Sequence, residues 1–160
     1  MVDEVYGKWE GLEVLRARLL ALPDKLRKRA LLNSLRAGAR VFQREAKRLA
    51  PVLRQPKKYR KPGTVRDAIR VRTSKLARRQ GDVGVFVNVK PAPRAQRGAK
   101  NPNDPFYWRF PEFGTRTKKG AVRVTAVRYL QRAASSKPGQ ALAEIKRTLG
   151  PQIKKLEDQR

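Results

Sequence analysis

Acid–base and metal chemistry in proteins relies mainly on carboxylates, imidazoles and thiols, and this sequence of 160 residues is poor in all three. It contains 13 Asp and Glu residues, no His and no Cys. No two of the acids stand at a spacing typical of an acid–base pair or a metal site. We therefore predict no catalytic residue, no metal site and no bound cofactor, and we expect that the protein is not an enzyme.

One carboxylate has unusual neighbours. Glu112 lies in the stretch 104–115, which contains five of the chain's aromatic residues: Phe106, Tyr107, Trp108, Phe110 and Phe113. Arg109 precedes Glu112 by three residues, and oppositely charged residues at that spacing can pair on a helix. We predict that Glu112 pairs with Arg109 rather than acting as a catalyst.

The same stretch reads as a short helix. Asp104 can cap its start, Pro105 suits the first helical position, and Gly114 provides a left-handed stop. Phe106, Phe110 and Phe113 follow the spacing of one helical face, although Pro111 favours a kink. We predict that these three phenylalanines are part of the core. The alternative is an aromatic patch that binds a partner, for which Tyr107 and Trp108 are the best candidates.

The charge of the chain is strongly positive and unevenly distributed. The net charge is +27, from 40 basic and 13 acidic residues. Most of the excess falls between residues 14 and 100, where only Asp24, Glu45, Asp67 and Asp82 are acidic. Such a field favours polyanions or acidic protein surfaces as partners. The alternative is a basic surface that serves only solubility.

Hydrophobic periodicity predicts an α+β fold in one domain, residues 1–160, with a small antiparallel β-sheet packed against a long helix in the N-terminal half and a C-terminal amphipathic helix. The predicted helices are at 12–21, 25–50 and 138–158, the last of them kinked at Pro151, with a helical turn at 64–68. The predicted strands are a short one at 5–9, a valine-rich hairpin at 69–74 and 83–89, and a third strand at 121–127. We expect Tyr6 and Trp9 to close one edge of the core, and Val122 and Val124 to face inward. Asp24 is expected to cap the long helix. No signal peptide and no membrane span is predicted.

Two proline-rich basic loops, 51–63 and 90–103, interrupt these elements. Prolines block regular structure there, and few apolar residues anchor the chain. We predict that the loops contact DNA or acidic partners, through Arg54, Lys57, Lys58, Tyr59, Arg60 and Lys61 in the first and Arg94, Arg97 and Lys100 in the second. Tyr59 is a possible stacking group for a nucleobase. The alternative is a pair of solvated insertions.

The motif Tyr-x-Arg-Phe-x-Glu-Phe-Gly-Thr at residues 107–115 carries a family resemblance. Its defined positions are Tyr107, Arg109, Phe110, Glu112, Phe113, Gly114 and Thr115. The order of other landmarks agrees: Gly11-Leu12, Ala50-Pro51-Val52, Gly63-Thr64-Val65 and Tyr129-Leu130. Together they resemble the neck or tail-completion proteins of tailed bacteriophages, similar to the minor tail protein Z of lambda-type phages. The sequence departs from the family by inserting the basic loop 53–62 and by placing Pro111 where an aliphatic residue is usual.

The resemblance implies a structural virion protein of the neck, made in the bacterial cytoplasm and acting where head and tail join. It implies a homo-oligomeric ring around the DNA channel, with head-completion or connector proteins and the tail terminator as neighbours. Non-specific contact with DNA is compatible with this role, and contact with a membrane is not expected. The alternative from charge alone is a basic protein that binds nucleic acid without sequence preference.

Overall fold

The computed structural model describes residues 12–158, so the predicted strand at 5–9, with Tyr6 and Trp9, lies outside the described residues. Seven helices and four strands are found in this part of the chain. The helices are α1 (Leu12–Ala21), α2 (Asp24–Leu49), α3 (Thr64–Ala68), α4 (Lys75–Arg79), α5 (Arg109–Phe113), α6 (Tyr129–Ser136) and α7 (Pro138–Glu157). The strands are β1 (Ile69–Thr73), β2 (Val85–Val89), β3 (Thr115–Arg116) and β4 (Val122–Val124). The predicted α+β class is confirmed.

The two long helices, α2 and α7, form the scaffold, and α1 packs against α7. Their close approach depends on Gly38, because a Cβ atom there would lie 2.5 Å from Ile145 Cγ1 and 2.9 Å from the backbone oxygen of Ala141. One core cluster lies at the end where all three helices meet, and it contains Leu22, Ala30, Leu149, Ile153 and Leu156. The helix predictions at 12–21, 25–50 and 138–158 are thus confirmed to within one residue at each end.

A second core cluster lies at the other end of α2. It joins α2, α3, the hairpin and α6 through Ala46, Ala50, Val65, Ile69, Val89, Tyr129 and Ala133. Strands β1 and β2 pair in antiparallel register, with Ile69 opposite Val89 and Val71 opposite Val87. These residues form the inner face of the hairpin, which lies on α2, so the predicted hairpin and its valine-lined face are confirmed.

Two local predictions were wrong. Asp24 does not cap α2 with its side chain; it is the first helical residue and pairs instead with Arg27 and Lys28. The predicted strand at 121–127 forms as the shorter β4, which pairs with β3 in a two-stranded sheet apart from the hairpin, and its Val122 does not face inward as expected. The side chain of Val122 is 60% exposed. Helix α7 continues through Pro151. No helix in the part of the chain described here is long and apolar enough to cross a membrane.

Candidate functional site

The aromatic stretch is not one helix. A 3-10 turn, Phe106–Trp108, leads into α5, Arg109–Phe113. Asp104 does not cap this start, contrary to the sequence prediction. Its buried carboxylate instead accepts hydrogen bonds from the backbone N–H groups of Gly98, at 2.7 Å, and Ala92, at 3.4 Å. Asp104 therefore ties the second basic loop to the base of the aromatic stretch.

The burial of the aromatic side chains is nearly the reverse of the prediction. Phe113 is 69% exposed and Phe110 is 41% exposed, so the prediction that both are core residues was wrong. Tyr107 and Trp108, the predicted patch residues, pack against the second core cluster. The physical reason is the change from a 3-10 turn to an α-helix, which breaks the single face assumed for continuous 3.6-residue periodicity. Phe106 is partly buried.

Glu112 does not pair with Arg109, and its role is structural. Its side chain is buried, and its two oxygens accept hydrogen bonds from the backbone N–H groups of Leu130, at 2.9 Å, and Gln131, at 3.1 Å. These N–H groups open α6, where a helix leaves donors unpaired. The guanidinium of Arg109 instead lies over the ring of Trp108, 5.4 Å from its centroid. Burial raises the pKa of the Tyr129 phenol, and the neighbouring Glu112 carboxylate raises it further.

Gly114 ends α5 as predicted, with φ of 75°. A Cβ atom at this position would also lie 2.9 Å from the backbone oxygen of Val124. Thr115 then begins β3, which pairs with β4. The motif residues from Tyr107 to Thr115 thus join the second core cluster, α6 and the small sheet, and they leave Phe110 and Phe113 facing outward.

The aromatic stretch separates two depressions. On one side is a cleft of about 600 Å³ between the stretch, the outer face of the hairpin and the second basic loop. We call it the arginine cleft, since its lining includes Arg72, Arg97 and Arg109, with Phe106, Trp108 and Asn88. On the other side is a smaller groove of about 230 Å³, the apolar groove, whose lining includes Val52, Val65, Tyr107, Phe110, Pro111 and Val124.

The first basic loop has no regular helix or strand, as predicted, and contains one isolated bridge between Lys57 and Arg60. Its six candidate residues do not behave alike. Arg60 is partly buried, and its guanidinium lies 5.1 Å from the ring centroid of Tyr107 and 5.9 Å from that of Phe106. The other five, Arg54, Lys57, Lys58, Tyr59 and Lys61, are exposed. The aromatic stretch therefore positions one cation of this loop and leaves its neighbours facing solvent.

The second basic loop lies beside the first. Lys61 Nζ donates to Asn103 Oδ1 at 3.2 Å, and Thr64 Oγ1 donates to the backbone oxygen of Pro102 at 3.1 Å. Within the second loop, Arg97 Nε donates to the backbone oxygen of Ala92 at 2.9 Å. The other two candidates of this loop, Arg94 and Lys100, are exposed, as is Arg97. The bases of both loops are thus in contact, which concentrates their positive charge on one side of the fold.

Sequence reasoning missed part of this surface. Arg72 and Asn88 lie on the outer face of the hairpin and line the arginine cleft, and the Arg72 guanidinium is 5.5 Å from the ring centroid of Phe86. The signal was available, because strand alternation places Arg70, Arg72, Phe86 and Asn88 on the face opposite the valines. What the sequence did not reveal is that residues 97–109 fold back over that face.

Comparison with families of known proteins gives a match over most of the chain. Residues 13–114 match the family described as "Bacteriophage HK97-gp10, putative tail-component". The chain belongs to this family. The match covers α1, α2, α3, the hairpin, both basic loops and the aromatic stretch to Gly114. No curated protein and no solved structure matches the chain. The phage assignment made from the motifs is therefore confirmed at the level of a tail-component family, a structural virion component.

The described residues give no site for metal chemistry. Between residues 12 and 158, no group of three or more His, Cys, Asp or Glu side chains is arranged to hold a metal ion. The two carboxylates nearest the aromatic stretch, Asp104 and Glu112, are both engaged with backbone N–H groups. The lining of the two depressions consists mainly of guanidinium groups, aromatic rings and apolar side chains.

Proposed function

We propose that this phage tail-component protein is a neck or tail-completion protein, similar in role to the minor tail protein Z of lambda-type phages. In this role it joins head to tail as one subunit of a ring around the DNA channel. Its neighbours are then the head-completion or connector protein and the tail terminator. The observation that carries the proposal is a net charge of +27 in a chain of a tail-component family. Thirteen acidic residues cannot neutralise 40 basic ones, so the chain keeps a strong positive field that attracts polyanions.

The position of the basic loops supports a surface that faces a polyanion. The loops contact each other at their bases, and their outer cations are exposed. A closed ring repeats each surface of its subunit around the axis, so a basic patch becomes a basic annulus. An annulus of this kind attracts the phosphate backbone without reading sequence. Neighbouring tail proteins are held together by non-covalent contacts, and the exposed cations of the loops can supply such contacts.

Loss of the protein should block joining of heads to tails. We expect that deleting the gene leaves filled heads and separate tails, with infectious yield restored by the wild-type chain supplied in trans. Electron microscopy of lysates and plaque titres measure both effects. A deletion that leaves joined, infectious particles would overturn the neck assignment. Tails of abnormal length, with normal joining, would also overturn it and indicate a role elsewhere in the tail.

Contact with DNA should depend on the loops rather than on charge alone. Replacing Arg54, Lys57, Lys58 and Lys61 by serine should weaken binding to duplex DNA and flatten its salt dependence, by about 0.9 in the log–log slope for each lost phosphate contact. Arg60 is left in place because it packs on the aromatic stretch. The matched control removes four exposed cations elsewhere: Arg78, Arg79, Lys154 and Lys155.

Fluorescence anisotropy with duplexes of unrelated sequence, over a range of salt concentrations, gives the measurement. Equal loss of affinity in both variants would contradict a DNA-facing role for the loops. A strong preference for one sequence at physiological salt would favour the alternative of a nucleic-acid-binding protein that acts as a regulator. Melting temperatures should barely change in either variant, since exposed charges contribute little to stability.

A further inference from the structure

The lining of the arginine cleft combines three arginines with the aromatic rings of Phe106 and Trp108. Arg72 and Arg109 are held over the rings of Phe86 and Trp108. Stacking of this kind limits the orientations of a guanidinium before any ligand binds. A guanidinium binds a carboxylate in a planar, bidentate geometry. The cleft's single acid, Asp104, has its carboxylate bonded to the N–H groups of Gly98 and Ala92. The cleft therefore presents a positive, partly aromatic surface.

A ligand that matches this lining carries carboxylates together with an aromatic or aliphatic side chain. Duplex DNA matches less well, because its bases are stacked inside the helix and its phosphates use the arginines of the cleft but not the rings of Phe106 and Trp108. A peptide segment of two or three side chains fits the volume. Phe106 and Trp108 then offer apolar contact to such a side chain, and the arginines offer donors to carboxylates.

The sequence itself contains such a segment. Its strongest concentration of negative charge is at residues 1–13, where Asp3, Glu4, Glu10 and Glu13 stand against Lys8 alone. Val5, Tyr6 and Trp9 lie between these acids. We propose that the arginine cleft binds the acidic, aromatic segment 1–11 of a second copy of this chain, forming a head-to-tail contact between neighbouring subunits. The proposal goes beyond the neck assignment and does not depend on it.

The fold favours a second copy over the same copy. Helix α7 and the hairpin lie on opposite sides of α2: α7 contacts Gly38, whereas the hairpin receives hydrogen bonds from Arg36 to Thr73 Oγ1 and from Gln43 to the Ile69 carbonyl oxygen. Residues 36 and 43 are roughly 140–160° from residue 38 around the helix. Helix α1, which starts at Leu12, packs on α7. The start of α1 and the cleft are thus separated by α2 and the hairpin.

The length of the segment agrees. Fully extended, the nine residues from Leu12 to Asp3 span roughly 30 Å. A path to the cleft of the same copy has to pass α2 and then the hairpin, each adding about 10 Å between packed layers, and has to turn around their edges. That path uses a large part of the segment's length. The cleft of an adjacent subunit requires no such detour, and a contact between two different surfaces is the kind that builds rings.

Charge reversal in the full-length chain tests the proposal. One variant carries Asp3→Lys, Glu4→Lys and Glu10→Lys, and a second carries Arg72→Glu and Arg109→Glu. Arg97 is unchanged because it bonds to the Ala92 carbonyl oxygen. We expect each variant alone to lose self-association, measured by sedimentation velocity, and the two variants mixed to regain it. In the mixture, each reversed segment can bind a reversed cleft, and each native segment a native cleft. The control, Arg78→Glu with Arg79→Glu in α4, should associate like the wild type.

A synthetic peptide with the sequence of residues 1–11 provides an independent measurement. Labelled peptide should bind the wild-type chain in a salt-sensitive manner, and Arg72→Ser with Arg109→Ser should weaken binding on the order of tenfold, as expected for two lost charge pairs. Arg78→Ser with Arg79→Ser should change it less than about twofold.

Three outcomes would overturn the proposal. Self-association that survives both charge reversals shows that the contact lies elsewhere. Association restored only when both reversals are on one chain shows that the segment binds its own cleft. Displacement of the peptide by single-stranded oligonucleotide, with tighter binding of that oligonucleotide, shows that the cleft is a nucleic-acid site. None of these results bears on head–tail joining, so the neck assignment is judged separately by the deletion. Circular dichroism of each variant confirms that the fold is retained.

Discussion

Replacing Gly38 by alanine should lower the free energy of unfolding by about 1–3 kcal/mol, as expected when a group is forced into a packed interface. The added Cβ would lie 2.5 Å from Ile145 Cγ1, 2.8 Å from Ile145 Cδ1 and 2.9 Å from the backbone oxygen of Ala141. The isoleucine side chain can rotate away, but the backbone oxygen belongs to α7 and moves only with that helix. Helices α2 and α7 must therefore separate where they pack most closely.

The predicted sign opposes intrinsic helix propensity. In an exposed helix, Gly→Ala stabilises by about 1 kcal/mol, so a loss at Gly38 has to come from packing. Gly139, in the first turn of α7, provides the matched control because a Cβ there meets no atom within 4 Å. Urea denaturation followed by circular dichroism measures both variants. If Gly38→Ala is as stable as Gly139→Ala, then α2 and α7 do not pack at this distance.

The elements that depend on local sequence could be predicted. Helices α1, α2 and α7 have apolar stripes several turns long, bounded by Pro23, Pro51 and Pro138. The hairpin alternates Ile69 and Val71 with arginines in one strand, and Val85, Val87 and Val89 with Phe86 and Asn88 in the other. These patterns repeat over many residues, so one ambiguous position does not change the result. The helical turn Thr64–Ala68 was likewise predicted to the residue.

The errors concern side chains whose hydrogen-bond partners are set by tertiary contacts. Asp104 and Glu112 were assigned partners within their own segment, since sequence spacing reveals only local pairs. Their actual partners are backbone N–H groups of Gly98, Ala92, Leu130 and Gln131, which fold topology brings near. The side-chain types were informative, because a buried carboxylate requires donors. The identity of those donors was not encoded in any local pattern.

In the candidate site, too, the local features could be predicted from the sequence and the tertiary ones could not. The family motif and the basic loops were recognisable from the sequence, and their membership in a tail-component family is confirmed. The exposure of Phe110 and Phe113 could not be predicted from their spacing, because a 3-10 turn of three residues precedes α5 and changes which residues share a face of the helix. The core that these rings were expected to fill is occupied by Tyr129, Ile69 and Val89. The outward orientation of Phe110, which lines the apolar groove, and of Phe113 therefore follows from the tertiary structure.

Glu112→Ala should destabilise the protein by about 2–3 kcal/mol, because it removes a buried carboxylate and both of its hydrogen bonds to backbone donors at the start of α6. Glu112 is 3% exposed and is bonded to the N–H groups of Leu130 and Gln131. A carboxylate at this end of α6 also interacts favourably with the helix dipole. The contact is reinforced nearby, since the Pro111 carbonyl oxygen accepts a 2.7 Å hydrogen bond from the Val127 N–H group.

Two further variants separate these contributions to stability. Glu112→Gln keeps one acceptor oxygen and the volume of the side chain, so it should cost less than alanine, about 1–2 kcal/mol. Glu144→Gln removes a carboxylate whose partner, Arg147, is 72% exposed, and it should change stability by less than about 0.5 kcal/mol. Thermal and urea denaturation of the three variants rank them by their loss of stability. If Glu112→Ala and Glu144→Gln are equally mild, Glu112 does not hold the start of α6, and its position in the motif would instead reflect a partner surface.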